Sequence, residues 1–329
     1  MDSAGRCFTF LVGTSLVFAG YGVCGLVGFA LLPLAAGDRG ASPVVGVLAL
    51  AVLVALVGAS LALGVRTAWR HRADNARLVR GVGRAAIAPT AALHRAAREV
   101  GVDGRIVLVE SAEPSTFVYG IFRPCVAIST AMLERLSPVE LRAALEHERY
   151  HVRNLDPLRE LIGRALADAL FFLPLAASLH RCYASERELA ADRRAAALCG
   201  RRPLAGALLA ALESPEPASR TSVGLGGSAL LASRLSQLET GRPATAEGVG
   251  ARPVLRSALG LTAVVVLFFA AVYGVGGSAA VARLIASELA PANLLSGTAV
   301  CVAPAICLVG LAYGRLAWGA RRPPGHRLS

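Results

Sequence analysis

The 329-residue chain contains no lysine and few charged residues of any kind. All of its basic side chains are arginines, and charged residues make up 17% of the sequence, against about 25% in an ordinary soluble domain. Hydrophobic residues reach 55%, and the mean hydropathy is +0.56. This composition excludes the pair of soluble domains that the length alone would allow. The net charge of +12 comes from arginines that lie beside apolar runs, so membrane topology explains it better than direct nucleic-acid binding.

The cysteines lack the even number and the close spacing of a disulfide framework or a cysteine metal site. There are seven, an odd number, and no two of them have C-x-x-C spacing. Several lie inside apolar runs, where a free cysteine behaves as a small hydrophobic residue. The spacing therefore predicts neither a disulfide framework nor a cysteine metal site. The cysteines are Cys7, Cys24, Cys125, Cys182, Cys199, Cys301 and Cys307.

Four uncharged apolar runs are long enough to cross a bilayer, which needs roughly 20 residues. A buried core helix is the alternative for any one run, and a cleaved signal peptide is the alternative for the first. Their length favours membrane spans, arranged as two hairpins and typical of a multi-pass protein of the cell membrane. The runs are 8–36, 44–65, 257–281 and 294–314.

Arginines follow the second and fourth runs, whereas the short loops between paired runs carry little charge. Positive charge at the ends of spanning helices marks the cytoplasmic side, so we expect both termini and the central region to be cytoplasmic. The predicted organisation is a membrane hairpin over 1–66, a cytoplasmic domain over 67–254, a second hairpin over 255–318 and a basic tail over 319–329.

The central region is predicted to be mainly helical with a few short strands, an α+β domain. Segment 161–179 is apolar enough to suggest a fifth span, but a polar stripe at a spacing of four favours helices that pack in the domain or enter the membrane surface. The predicted helices are 74–100, which ends near Gly101, then 138–153, 157–173, 175–199 and 230–238. The predicted strands are 105–109 and a hairpin formed by 117–119 and 125–128, and the predicted loop and linker are 213–228 and 240–253.

The strongest motif is His147-Glu148-Arg149-Tyr150-His151. Ser137, Pro138 and Glu140 supply a cap, a first-turn proline and a capping-box carboxylate, which together predict a helix start. Two histidines four residues apart on a helix share a face, so both imidazoles can bind one Zn²⁺. Glu148 is then placed to act as the catalytic base that takes a proton from the attacking water.

A catalytic zinc usually has three protein ligands, so a third is expected elsewhere. Glu188 and Asp192 lie four apart in a predicted helix and share one face. Glu188 is the better ligand, and Asp192 is placed to accept a hydrogen bond from a ligand imidazole and to fix its orientation. An exposed helix with charge pairs is the alternative for this segment.

These motifs resemble the BlaR/MecR-type membrane metallopeptidases, and more distantly the HtpX/Ste24-type peptidases. The similarity covers about residues 110–200 and includes 117–124, 147–151, 171–174 and 188–192. It implies a gluzincin-type fold, with His147, His151 and Glu188 as zinc ligands, Glu148 as the base and Asp192 as the acidic residue after the third ligand. The antirepressors of this family carry a C-terminal penicillin-binding sensor. This sequence has no Ser-x-x-Lys motif, so the resemblance supports the protease module alone.

The sequence therefore predicts a zinc endopeptidase that cleaves cytoplasmic or membrane-associated proteins, for example a transcriptional repressor, in signalling or in membrane protein quality control. The alternative is a non-catalytic membrane receptor or scaffold with a structural zinc, which would have no need of Glu148. A transporter is disfavoured because the apolar runs hold no charges. The oxyanion-stabilising residue is open, with Tyr183 and His180 as weak candidates, and the oligomeric state is unknown.

Overall fold

The computed structural model describes residues 3–16, 43–212, 227–244 and 249–288. These residues are mostly helical and include one small sheet, in agreement with the predicted mixture. The helices are α1 (3–16), α2 (Pro43–Ala85), α3 (Ala91–Val100), α4 (Thr130–Arg135), α5 (Pro138–Asn154), α6 (Asp156–Ala169), α7 (Pro174–Cys199), α8 (Arg201–Leu212), α9 (Gly227–Thr240) and α10 (Ala251–Glu288). The strands are β1 (Ala86–Ile87), β2 (Ile106–Val109), β3 (Thr116–Tyr119) and β4 (Cys125–Ser129).

The prediction of one continuous helix over 74–100 is wrong. Helix α2 ends at Ala85, and α3 begins only at Ala91. The reason is Pro89, which disfavours helical backbone at the residue before it and has no N–H to donate. The side chain of Thr90 then caps the new helix by accepting from the backbone N–H of Leu93. The predicted end at Gly101 is confirmed, since this glycine has a φ of 75° and closes the last turn of α3.

The sheet has the order β1-β2-β4-β3, with β2 and β4 parallel and β3 and β4 antiparallel. The predicted hairpin is confirmed, with Tyr119 opposite Cys125. Gly120 is required at the turn because its φ is 89° and an added Cβ would lie 2.6 Å from the carbonyl oxygen of Arg123. Strand β3 is an edge strand, and in the described part of the chain no strand pairs with its outer side.

A hydrophobic core lies between the sheet and helices α3, α4 and α5. Alternate residues of β2 are buried, and the apolar face of α3 packs on the same cluster. Helix α5 contributes Leu141, Ala144, Leu145 and Val152, at helical spacing along one side. This packing fixes one face of α5 against the sheet and leaves its motif residues to face a cavity.

Two described helices are long and apolar enough to cross a membrane by length and composition, over Val44–Ala85 and Ala251–Val272. They contain the second predicted run and part of the third. Only the beginning of the first run lies in α1, and the fourth run, 294–314, lies outside the described residues, as does most of the predicted loop over 213–228. Segment 161–179 forms two helices separated at residues 170–173, because Pro174 starts a new helix.

The chain divides into two compact units. One includes the described parts of Met1–Thr9, Gly64–Ala165 and Leu179–Glu247 and contains the sheet and the motif helix. The other includes the described parts of Phe10–Leu63, Leu166–Ser178 and Gly248–Ser329 and contains most of the apolar helix length. The site described below lies entirely within the first unit.

Candidate metal centre

Helix α5 begins with the predicted capping box. The backbone N–H of Glu140 donates to the Ser137 hydroxyl, and the Glu140 carboxylate accepts from the backbone N–H of Ser137 at 2.9 Å. Pro138 occupies the first turn, where its missing N–H is not needed. The helix then continues without interruption to Asn154, so His147 and His151 stand one turn apart on one face.

The three predicted ligands come together at this face. The Nε2 atoms of His147 and His151 are 3.2 Å apart, and Oε2 of Glu188 lies 3.6 Å and 3.8 Å from them. All three ligand atoms lie within 4.8 Å of one another, and both histidines are buried. Glu188 reaches the site from α7, in the part of that helix that belongs to the first unit together with α5.

Each histidine contacts a carboxylate through its other ring nitrogen. Nδ1 of His151 lies 2.6 Å from Oδ2 of Asp156. Nδ1 of His147 lies 2.9 Å from Oδ1 of Asp192, although the Nδ1–H direction is less well aligned on that oxygen. The structure thus brings Asp192 to the imidazole of a predicted ligand, the neighbour that the sequence predicts for it. Asp156 was missed, because nothing in its spacing from the motif marks it as a partner.

The position of Asp156 depends on a sharp turn at the end of α5. Leu155 has a φ of 52° and is the one described non-glycine residue with positive φ. This left-handed conformation costs of the order of 1–3 kcal/mol and ends α5, so α6 can begin at once and direct Asp156 back towards His151. The hydroxyl of Tyr183 donates to the other oxygen of Asp156 at 3.0 Å and holds the carboxylate in place.

The donor set fits a zinc ion. When the Nδ1 atoms face carboxylates, each neutral imidazole carries its proton there, and the two Nε2 lone pairs converge beside the Glu188 carboxylate. Lone pairs only 3.2 Å apart repel each other unless a cation or a proton lies between them. Two imidazoles and one carboxylate are a catalytic zinc set, with the fourth position left for water or substrate.

The electrostatics of the cluster favour positive charge at its centre. Burial lowers the pKa of His147, but contacts with Asp192 and Glu188 outweigh it and raise the pKa to about 10. Burial raises the pKa of Glu188, yet the neighbouring histidines and arginines outweigh it and hold the pKa well below its usual value. The predicted third ligand is therefore ionised, the form of a carboxyl group that binds metal.

Glu148 lies beside the ligands and lines the same cavity, but it is not one of the three clustered ligands. It is 7% exposed, and burial raises its pKa above the ordinary value, against the opposing effect of the two histidines. A raised carboxyl pKa makes a better proton acceptor near neutral pH, which suits a general base.

Two arginines surround the carboxylates of the site. Arg234, from α9, makes two hydrogen bonds to Asp192 at 2.7 Å and 2.9 Å and lies 3.9 Å from Glu188. Arg187 donates to Glu188 at 3.3 Å and to Glu160 at 2.9 Å. Arg234 was missed by the sequence analysis. Its helix was predicted, but no local pattern connects it to a motif 42 residues away.

The metal centre opens into a cavity of about 360 Å³. One wall is β3 with the preceding Pro114 and Ser115, and another is the apolar side of α8.

Arg234 also lines this cavity, whereas the oxyanion candidates Tyr183 and His180 do not. Tyr183 is fully buried against Asp156, and His180 faces Glu160 at 3.3 Å. Both residues therefore have structural positions, and Arg187 and Arg234 are the guanidinium groups that line the cavity in the described part of the chain.

Changing the residues that orient the two ligand histidines is expected to weaken zinc binding without abolishing it. These residues are Asp156, which contacts His151, and Arg234, which holds the Asp192 carboxylate beside His147. Asp156→Asn and Arg234→Gln should each lower zinc affinity about 10- to 100-fold, because each loosens the orientation of a ligand imidazole. Competition with a chromogenic chelator measures the affinity. Arg201→Gln is the matched control, since Arg201 also bonds to α9, but only to backbone carbonyls. Unchanged affinity in Asp156→Asn and Arg234→Gln would contradict the orienting role.

Comparison with known proteins agrees with this geometry. The family described as BlaR1 peptidase M56 matches residues 40–238, which include the sheet, α5, α7 and most of α9. Two curated relatives, both named Protease HtpX homolog, come from Limosilactobacillus reuteri strains DSM 20016 and JCM 1112. Each is 29% identical over 167 residues, 49% of this chain and 53% of the relative, so the chain spans about half the length of these proteins. No solved structure shows significant similarity. Because the family match covers more than half of the chain, the protein belongs to the BlaR1 peptidase M56 family.

Proposed function

We propose that this chain is a membrane-anchored, zinc-dependent endopeptidase. The observation that carries the proposal is the convergence of His147, His151 and Glu188 beside the buried base Glu148, in a cavity open to an edge strand. Family membership supports a peptidase, and the two apolar helices support membrane association. We further propose a gluzincin-type catalytic domain over 67–254, flanked by membrane hairpins over 1–66 and 255–318.

The chain's own residues divide the chemistry between them. His147, His151 and Glu188 would hold the zinc, which when bound supplies Lewis acidity for the scissile carbonyl and for the attacking water. Glu148 takes a proton from that water and returns it to the leaving amine. Asp156 and Asp192 keep the imidazoles oriented. Burial raises the pKa of Asp192, but the contacts with His147 and Arg234 outweigh it and lower the pKa, so this carboxyl group stays ionised.

The substrate would lie as an extended peptide along β3. This strand has a free outer edge in the described structure and runs along the cavity that holds the metal site. Main-chain hydrogen bonds to such an edge bind a peptide largely independently of its sequence, and pockets for its side chains add selectivity. A protein segment that is locally unfolded or extended is therefore the expected substrate.

The substrate class follows from the membrane anchor. A peptidase held at the bilayer reaches cytoplasmic loops of membrane proteins and soluble proteins at the membrane surface. We propose both as substrates, in signalling by repressor cleavage or in membrane protein quality control. The family and the HtpX relatives support a protease in either role.

Chelation provides the direct test of this function. The purified full chain in detergent, incubated with an unfolded protein such as casein, is expected to produce peptides and to lose at least about 90% of its activity when a phenanthroline chelator removes the metal. Added Zn²⁺ should restore activity, and the non-chelating phenanthroline isomer is the matched control. Equal activity with and without the chelator would contradict a metallopeptidase.

The topology is tested by cysteine labelling with a membrane-impermeant reagent. Arginine crowding after the second and fourth apolar runs predicts that residue 90, residue 220 and the C-terminus all lie in the cytoplasm. Single cysteines at these positions should be labelled in inside-out vesicles and protected in intact cells. Opposite accessibility of residues 90 and 220 would contradict a single cytoplasmic domain.

A further inference from the structure

Two buried cysteines far apart in the sequence meet between α1 and α7, the helix that also carries Glu188. The Sγ atoms of Cys7 and Cys182 are 2.9 Å apart, and the residues are separated by 175 positions in the chain. Their exposed fractions are 2% and 4%. A disulfide has an S–S length of about 2.05 Å, so the two sulfurs need to approach by only about 0.9 Å to form one.

The cysteines are held together by contacts along the beginning of α1. Ser3 donates a hydrogen bond to Glu186, and the ring of Phe8 packs against that of Tyr183 with centroids 5.4 Å apart. The guanidinium of Arg159 lies 5.7 Å from the centre of the Phe8 ring. The start of α1 is thus docked on α7 and α6, and the pairing of the thiols is part of a packed contact.

This contact leads directly to the metal site. Tyr183 follows Cys182 in the chain, belongs to the same buried cluster and donates to Asp156. Asp156 in turn orients His151. Helix α7 also carries Glu188, less than two turns beyond Cys182. A bond between the cysteines would therefore restrain the helix that supplies one ligand and positions a second.

We propose that Cys7 and Cys182 form a reversible disulfide that controls how firmly the metal centre holds its ion. The proposal rests on the zinc site of the proposed function. Nothing in the sequence indicates the pair, because the two cysteines have no motif spacing. In the reducing cytoplasm the thiols are the resting state, and oxidation is the signal.

The reaction needs a two-electron oxidant, of which peroxides are the relevant class. Each thiol loses its proton, the S–S bond forms, the O–O bond of hydrogen peroxide breaks, and two water molecules leave. The hydrogen bond to Cys182 and burial raise the pKa of the Cys7 thiol, so little reactive thiolate is present. Oxidation is therefore expected to take minutes to hours and to be reversed by a dithiol reductant.

The experiment uses the zinc-loaded full chain in detergent, treated with hydrogen peroxide or left reduced. Peptide mapping by mass spectrometry is expected to find a Cys7–Cys182 cross-link in the wild type. The oxidised protein should release zinc to a chelator about 10-fold more slowly, a change typical of fixing a residue that orients a ligand. Its thermal midpoint should rise by roughly 5–15 °C, because the bond closes a very long loop.

Serine variants provide matched controls. Cys7→Ser and Cys182→Ser should lose the cross-link and both effects, whereas Cys125→Ser, which replaces a free thiol on β4, should retain them. Absence of the cross-link in the folded wild type would overturn the proposal, and so would a cross-link that leaves zinc release unchanged. A reduced wild type that binds no zinc would instead refute the proposed function, and peptide mapping would report on the cysteine pair independently.

Discussion

Glu148→Gln is expected to lower peptidase activity by a factor of at least about 10² while the zinc content stays near one ion per chain. Glutamine keeps the size and hydrogen-bonding capacity of the side chain but cannot accept the proton of the attacking water. The fold should survive, because the glutamate is buried with a raised pKa and a neutral amide does not lose a stabilising charge there. Initial rates on a quenched fluorescent peptide, with metal analysis of the same samples, measure both quantities.

Glu146→Gln is the matched control for this experiment. Glu146 lies on the same helix and is similarly buried, but it pairs with Arg149 and does not line the cavity. The Glu146→Gln protein should keep a peptidase activity within a few-fold of the wild type, because Glu146 lies outside the cavity in which Glu148 acts as the base. A Glu148→Gln protein that cleaves at the wild-type rate would mean that the chain is not a peptidase of this mechanism. The alternative of a membrane scaffold with a structural zinc would then replace it.

The same variant can identify the substrate. In cells, new protein N termini that appear with the wild type and are absent with Glu148→Gln are expected to lie in extended segments of cytoplasmic or membrane-associated proteins. Termini in a transcriptional repressor would indicate signalling, and termini spread over many damaged membrane proteins would indicate quality control.

Most of the residues that the sequence could predict are linked by local geometry, and Glu188 was predicted from its local pair with Asp192 together with the number of ligands that a catalytic zinc needs. The capping box, the helix of His147 and His151 and the β3–β4 hairpin each depend on residues within a few positions of one another. The break at Pro89 was also readable, because the restriction that proline places on Ala88 is local.

The partners that the sequence could not predict are joined by tertiary packing. Arg234 meets Asp192 across 42 positions, and Cys7 meets Cys182 across 175. Asp156 is close to His151 in sequence, yet the contact depends on the left-handed turn at Leu155, which leucine adopts only when its surroundings impose it. Such contacts carry no periodic pattern, so only the folded structure indicates them.

Loss of a ligand is expected to remove the metal itself. In His151→Ala two donors remain where a catalytic zinc needs three, so zinc should fall from about one ion per chain to less than about 0.1 after dialysis. Glu188→Gln should lose most of its zinc as well, because the amide is neutral, whereas Asp192→Asn should bind about 10- to 100-fold more weakly. Metal analysis after dialysis against a fixed free zinc concentration distinguishes these levels.

Stability provides an independent measure of the same loss. A metal that binds only the folded chain raises the unfolding free energy, by about 4 kcal/mol at a thousand-fold excess over Kd. Added Zn²⁺ should therefore raise the thermal midpoint of the wild type and leave that of His151→Ala unchanged. His94→Ala is the control, because His94 is half exposed on α3 and pairs with Asp103. A His147→Ala, His151→Ala double variant that still holds one zinc and still responds to it would place the ion at other residues, and the catalytic roles derived from this site would then be wrong.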